Sequence, residues 1–158
     1  MIEYVPNDEA RDIAEQVIQD WHPHLEGVKI AYISKVKPPK KAKKGQPVKQ
    51  PRQGKKIVMA KAAKVSPKMQ ALMADGYVFV IEFDDAIWQE LAHEKRIALV
   101  DHELCHCGND ADGFYLKGHS VEEFREVIKR HGFWKDDVRQ FAEQTELTYH
   151  EHKRGSVL

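Results

Sequence analysis

Residues 35–56 (KVKPPKKAKKGQPVKQPRQGKK) carry ten basic side chains, four prolines and two glycines, with almost no large apolar group. Such a stretch buries too little apolar surface to offset the entropy of ordering it, so it reads as a mobile arm or a long hairpin tip. A core must therefore be assembled from the segments on either side. The chain of 158 residues is long enough for one such core, giving a single domain over residues 1–158 with a basic flexible loop at about 35–56. The two cysteines, Cys105 and Cys107, cannot supply a disulfide framework, which predicts a reduced, cytoplasmic setting. No apolar run reaches the length of a membrane span, and the polar start MIEYVPNDEA does not read as a secretory signal.

The formal net charge of zero conceals a division. Residues 28–74 hold 14 Lys and Arg and no Asp or Glu, leaving 11 basic against 25 acidic residues elsewhere. Lys40, Lys41, Lys43, Lys44, Arg52, Lys55 and Lys56 are the candidates for contacting a phosphate backbone through counterion release. The arm contains no aromatic residue on which bases could stack, so a solubilising loop is the competing reading.

Apolar spacing and turn residues predict the elements. Residues 6–21 read as a helix, capped by Asn7 or Asp8, with Ile13, Val17 and Trp21 on one face. Strands are predicted at Val28–Ser34 and Lys56–Val65, and Ser66-Pro67 opens a short helix through Met73. Asp75-Gly76 is a turn, and Tyr77–Phe83 (YVFVIEF) is the clearest strand. A helix then runs from Asp84-Asp85 to about Cys107, bending around His93–Arg96, with Gly108 as a left-handed C-cap. Residues 108–113 read as a turn-rich loop and Phe114–Lys117 as a short strand. Ser120 to Glu123 fits a capping box for a helix ending before Gly132, and a last helix spans Asp136 to about His150, followed by a fraying end. Strands first and helices after predict a compact α+β domain.

Within the long helix lies His102-Glu103-Leu104-Cys105-His106. Helical residues four apart are offset by only about 40°, so His102 and His106 can hold one metal ion. Glu103, about 100° on from His102, can serve as general base toward a water activated by zinc. A catalytic zinc wants a third protein ligand and an open fourth position. The candidates are His119, Glu122, Glu123, Glu126 and His131. Glu123 is already engaged as the capping-box partner, and His131 suits a helix C-terminus. His119 has no evident packing role and is preferred, with Glu122 or Glu126 next. With Glu103 toward the cleft, Cys105 is predicted to face the core and Cys107 to lie farther round. A closed His–Cys structural site is an alternative. The loop GNDADG is rejected as a calcium loop, because Gly108 and His119 stand where acidic ligands belong.

The segments ALVDHELCHCG and LKGHSVEEFREVIKRHGFW resemble the putative phage metallopeptidase family over roughly residues 77–142, and more distantly the SprT-like zinc peptidases. The latter follow HELxH with a His-Gly-x-x-[FW] segment whose His is the third ligand, which corresponds here to His119, with Phe124 near the aromatic position. Ser120 stands where that segment has Gly, and two cysteines cannot form the zinc ribbon that many SprT-like proteins carry. The resemblance implies a zincin or minigluzincin-like fold, with a small sheet packed on the motif helix. It also implies one catalytic Zn2+, a peptide or protein substrate and, for a phage-encoded chain, the host cytoplasm.

Further expectations concern the surroundings of the motif. Tyr77–Phe83 is a candidate for pairing with an extended substrate, against the alternative of a buried core strand. Tyr115 is a candidate oxyanion donor, against a packing role, and His22 and His24 read as a surface turn beside Pro23. The leading function is a zinc-dependent peptidase. The alternatives are a non-catalytic nucleic-acid or protein-binding module that keeps the fold, and a metal hydrolase acting on another bond.

Overall fold

Three side chains spaced two apart, Phe79, Ile81 and Phe83, are wholly buried and place one strand at the centre of the structure. The computed structural model describes residues 1–40, 44–45 and 56–155. They divide into two compact units, Met1–Lys117 and Gly118–Leu158. The architecture is α+β, with helices and a small mixed sheet consistent with a zincin-like domain.

The first unit contains β1 (Glu3–Pro6), α1 (Asp8–Trp21), a 3-10 turn (Pro23–Leu25), β2 (Ile30–Val36), β3 (Ala60–Lys64) and α2 (Pro67–Leu72). These are followed by β4 (Phe79–Asp84), α3 (Asp85–Glu90), α4 (His93–Cys105), β5 (Cys107–Asp110) and β6 (Gly113–Leu116). The main sheet has the order β1-β2-β4-β3. β4 runs parallel to β2, with Ile30 opposite Phe79, and antiparallel to β3. Both edges of β4 are thus taken, so this strand cannot pair with a substrate, and the buried-core reading holds for Phe79–Phe83, with Tyr77 and Val78 outside the strand. Because β4 separates β2 from β3, the strands flanking the basic stretch form no hairpin. Lys35 and Val36 of that stretch close β2, and Lys40, Lys44 and Lys56 are exposed. Lys41, Lys43, Arg52 and Lys55 lie outside the described residues.

β1 is the strand missed by sequence reading: all four residues are exposed, so no apolar alternation betrays it. It is held by backbone pairing to β2 and by buried Asn7 at its end. The Asn7 side chain accepts the Ala10 N–H (2.9 Å), capping α1, and donates to Ser34 Oγ of β2 (3.0 Å). α1 turns Ala10, Ala14 and Val17 inward, whereas Trp21, predicted on this face, is exposed.

The predicted long helix is two, broken at Leu91-Ala92, slightly before the expected bend. Arg96 bridges the break. It donates to the Trp88 carbonyl (3.0 Å), lies over the Trp88 ring and reaches the Glu9 carboxylate of α1 (2.8 Å). α4 buries Val100, Glu103 and Leu104 as it packs on α1. Beyond α4 the expected C-cap does not form, since Gly108 continues into the β5–β6 hairpin instead. Its missing side chain makes room for the Tyr115 ring across the hairpin, which a Cβ would approach to 2.4 Å. Gly113 takes the positive φ (115°) at the tip.

The second unit holds α5 (Arg125–His131) and α6 (Asp136–Gly155). The capping box at Ser120 does not form, and α5 starts at Arg125 without a side-chain cap. Glu123 is engaged elsewhere, accepting from the Phe124 N–H (2.9 Å) and the Trp134 indole N–H (3.1 Å). Gly132, at φ 64°, ends α5 as expected, and α6 runs five residues past the predicted end at His150. No helix of the described residues is long and apolar enough to cross a membrane.

Asp84 joins β4 to α3, accepting the Ile87 N–H (3.3 Å) and pairing with Lys37. The Lys37 hydrogen bond, aided by the α3 amides and opposed by burial, holds its carboxyl below the usual carboxylate range. Asp84→Ala is expected to cost about 1 kcal/mol in urea unfolding at neutral pH. A depressed folded-state pKa stabilises above the ordinary carboxylate value, so this difference narrows as pH falls through the depressed one. Equal stability at neutral pH, or a difference that does not narrow in acid, contradicts the assignment.

Candidate metal centre

α4 has one inward side, shared by Val100, Glu103 and Leu104, and the two histidines of the site lie on the faces that remain. With Val100 and Leu104 wholly buried, the last turn presents His102 outward and leaves His106 half-buried. His106 closes the helix with dihedrals still helical (φ −74°, ψ −20°), which preserves the four-residue spacing to its last position. The two rings meet edge-on at 5.3 Å between centroids, with ligating nitrogens within 4.8 Å of each other.

The His106 ring is oriented by the hairpin. Its Nδ1 lies 2.6 Å from the Lys117 carbonyl, while the Lys117 N–H donates to the His106 carbonyl at 2.7 Å. A carbonyl oxygen only accepts, so Nδ1 carries the proton and Nε2 is the lone-pair nitrogen of the neutral ring. An imidazole tied at one nitrogen to a carbonyl is the usual arrangement of a metal-ligating histidine.

Glu103 is buried, at 4% exposure, on the inward side next to the histidine pair. A carboxylate in that position needs hydrogen bonds or nearby positive charge to stay ionised. The predicted cysteine placement is reversed: Cys105 is exposed and Cys107 buried. The direction of α4 explains this, because its inward face is centred between Glu103 and Leu104 and Cys105 falls outside it. The chain then turns Cys107 inward as β5 begins, with its Sγ donating to the Glu103 carbonyl (3.7 Å). Burial, with the Glu103 charge adding to it, pushes the Cys107 thiol up to about 12. The Cys105 thiol is also raised, by partial burial and then by Asp101.

The expected turn forms as the 3-10 segment Pro23–Leu25 with His24 exposed, but His22 is buried rather than on the surface. His22, at 7% exposure, places Nε2 2.6 Å from Asp101 Oδ1, and His24 Nε2 donates to the Cys107 carbonyl (3.1 Å). The available signal was Asp101 and Cys105, which share the four-residue spacing of His102 and His106. A cavity of about 260 Å³ beside this cluster is lined by His22, His24, Cys105, Asn109, Tyr115 and Lys117. Tyr115, 43% exposed, lies with its ring over Gly108 at that cavity. His119 and the other third-ligand candidates, Glu122, Glu123, Glu126 and His131, belong to the second unit. There Glu123 binds Trp134, and His131 ends α5.

The environments of the two thiols make a direct test. In chelator-treated native protein, alkylation at neutral pH is expected to label Cys105 alone, with Cys107 reacting only after denaturation. Rapid labelling of both in the folded protein contradicts the placement of Cys107.

Residues 2–145 match the family described as putative phage metallopeptidase. No curated protein and no solved structure matches the chain significantly. The match covers both units up to the middle of α6 and includes the paired histidines and buried Glu103 at the end of α4. The chain belongs to the putative phage metallopeptidase family.

Proposed function

We propose that the chain is a zinc-dependent peptidase in which His102, His106 and His119 hold the metal and Glu103 is the general base. The observation that carries this reading is the His106 Nδ1–Lys117 carbonyl hydrogen bond, which leaves Nε2 as the lone-pair nitrogen beside His102. It also favours His119 over the downstream carboxylates. Lys117 is tied to His106, and two further residues span at most about 7 Å. A set of imidazoles with a nearby carboxylate suits zinc better than magnesium or calcium. When bound, zinc supplies Lewis acidity that activates water and polarises the peptide carbonyl.

Glu103 accepts the proton released by the attacking water and returns it to the departing amine. Tyr115 is the proposed donor to the developing oxyanion. For substrate pairing, β3 replaces β4, because β3 is an edge strand of the sheet and packs near α4. The free cysteines fit a reducing compartment such as a host cytoplasm.

His102→Ala, His106→Ala and His119→Ala are each expected to lose one zinc equivalent relative to the unaltered chain, by elemental analysis. Glu103→Gln should keep that zinc while hydrolysis of labelled, denatured casein falls by about 10²–10⁴-fold. Full zinc content in either α4 histidine variant, or undiminished hydrolysis by Glu103→Gln, overturns the reading.

The acid-free basic stretch favours a second role, retention on nucleic acid, which is also how a non-catalytic member of this fold would act. Deleting residues 38–55 spares the Lys37–Asp84 pair. That deletion is expected to abolish salt-sensitive binding to duplex DNA without changing zinc content. Unchanged DNA binding after the deletion refutes the role of the arm.

A further inference from the structure

Asp101 and Cys105 repeat, one residue earlier, the spacing of His102 and His106. On a helix the two pairs are rotated from each other by about 100°, so they address different neighbours. His106 meets the Lys117 peptide, whereas Asp101 meets His22 at the end of α1. One ligand atom each from His22, Asp101 and Cys105 lies within 4.8 Å of the others.

These donors sit on fixed backbone. Asp101 and Cys105 belong to α4, and the His22 N–H closes α1 on the Ile18 carbonyl (2.9 Å). His24, with its ring centroid 5.8 Å from that of His22, helps line the adjoining cavity of about 260 Å³. The peptidase reading gives no task to His22, Asp101 or Cys105.

We propose that His22, Asp101 and Cys105 form a second metal site, for zinc or a similar divalent cation, distinct from the one at His102 and His106. Nitrogen, oxygen and sulfur donors together suit zinc and cobalt, and the cavity has room for a water as fourth ligand. Without the cation, the His22–Asp101 hydrogen bond at 2.6 Å keeps the cluster assembled. Zinc bonds of about 2.0–2.3 Å in a tetrahedron put donor atoms somewhat farther apart than that, so binding opens the pair slightly. The cation takes the place of the shared proton. That proton moves to Nδ1, leaving the His22 ring neutral, and Cys105 gives its thiol proton to solvent. The site would join the end of α1 to the last turns of α4, the part of the helix that carries His102 and His106.

Cobalt titration of the full chain, stripped of metal with a chelator, separates the two sites, because only this one includes a thiolate. A thiolate-to-cobalt charge-transfer band in the near ultraviolet is expected, saturating at one equivalent. Cys105→Ser, an exposed position, should remove the band, and Asp101→Asn should weaken cobalt binding by about tenfold or more. The double variant His102→Ala/His106→Ala should retain the band, whatever becomes of its hydrolytic activity. No band in the unaltered chain overturns the proposal, as does a band that survives Cys105→Ser. Loss of the band in the double histidine variant also overturns it, since the thiol would then belong to the first centre.

Discussion

The hydrogen bond from His106 Nδ1 to the Lys117 carbonyl is the constraint on which the site depends. It requires a hairpin of set length, because β5 and β6 pair Cys107 with Leu116 and so bring Lys117 opposite His106. It requires Gly113 at the tip, where φ is 115°, and Gly108 in β5, where only a missing side chain admits the Tyr115 ring. Through it one backbone carbonyl sets the tautomer of an imidazole eleven residues earlier. The same tie brings the chain back to the end of α4 just before His119.

α4 carries a large share of this arrangement on little apolar surface. Its inward face offers Val100 and Leu104, wholly buried, and between them the carboxylate of Glu103. The helix is positioned largely by neighbours. Arg96 ties its first turn to Trp88 and to Glu9 of α1, and Asp101 meets His22 near its other end. Polar ties at both ends thus hold a helix whose inner face includes the Glu103 carboxyl.

What could be read from the sequence was local. The four-residue spacing of His102 and His106, the Asn7 cap of α1, the Ser66 cap of α2 and the alternation of β4 each depend on a few neighbouring residues, and each is present. The misreadings arose where a distant partner decided the outcome. Gly108 carries the residue type of a helix stop, yet Tyr115 across the hairpin makes it a strand residue. Glu123 has the spacing of a capping box, yet Trp134 claims its carboxylate. His22 looks like part of a surface turn until its partner, 79 residues away, is known. β1 offers no apolar signal because none of its side chains is buried.

Family membership and the paired histidines lead to one central claim, that the end of α4 holds a catalytic zinc. Anomalous diffraction at the zinc edge from zinc-loaded crystals tests it most directly. A peak is expected about 2.0–2.1 Å from Nε2 of both His102 and His106, with His119 as third ligand and one position open to solvent. A map with no zinc at that pair, or with four protein ligands closing the coordination, would contradict it.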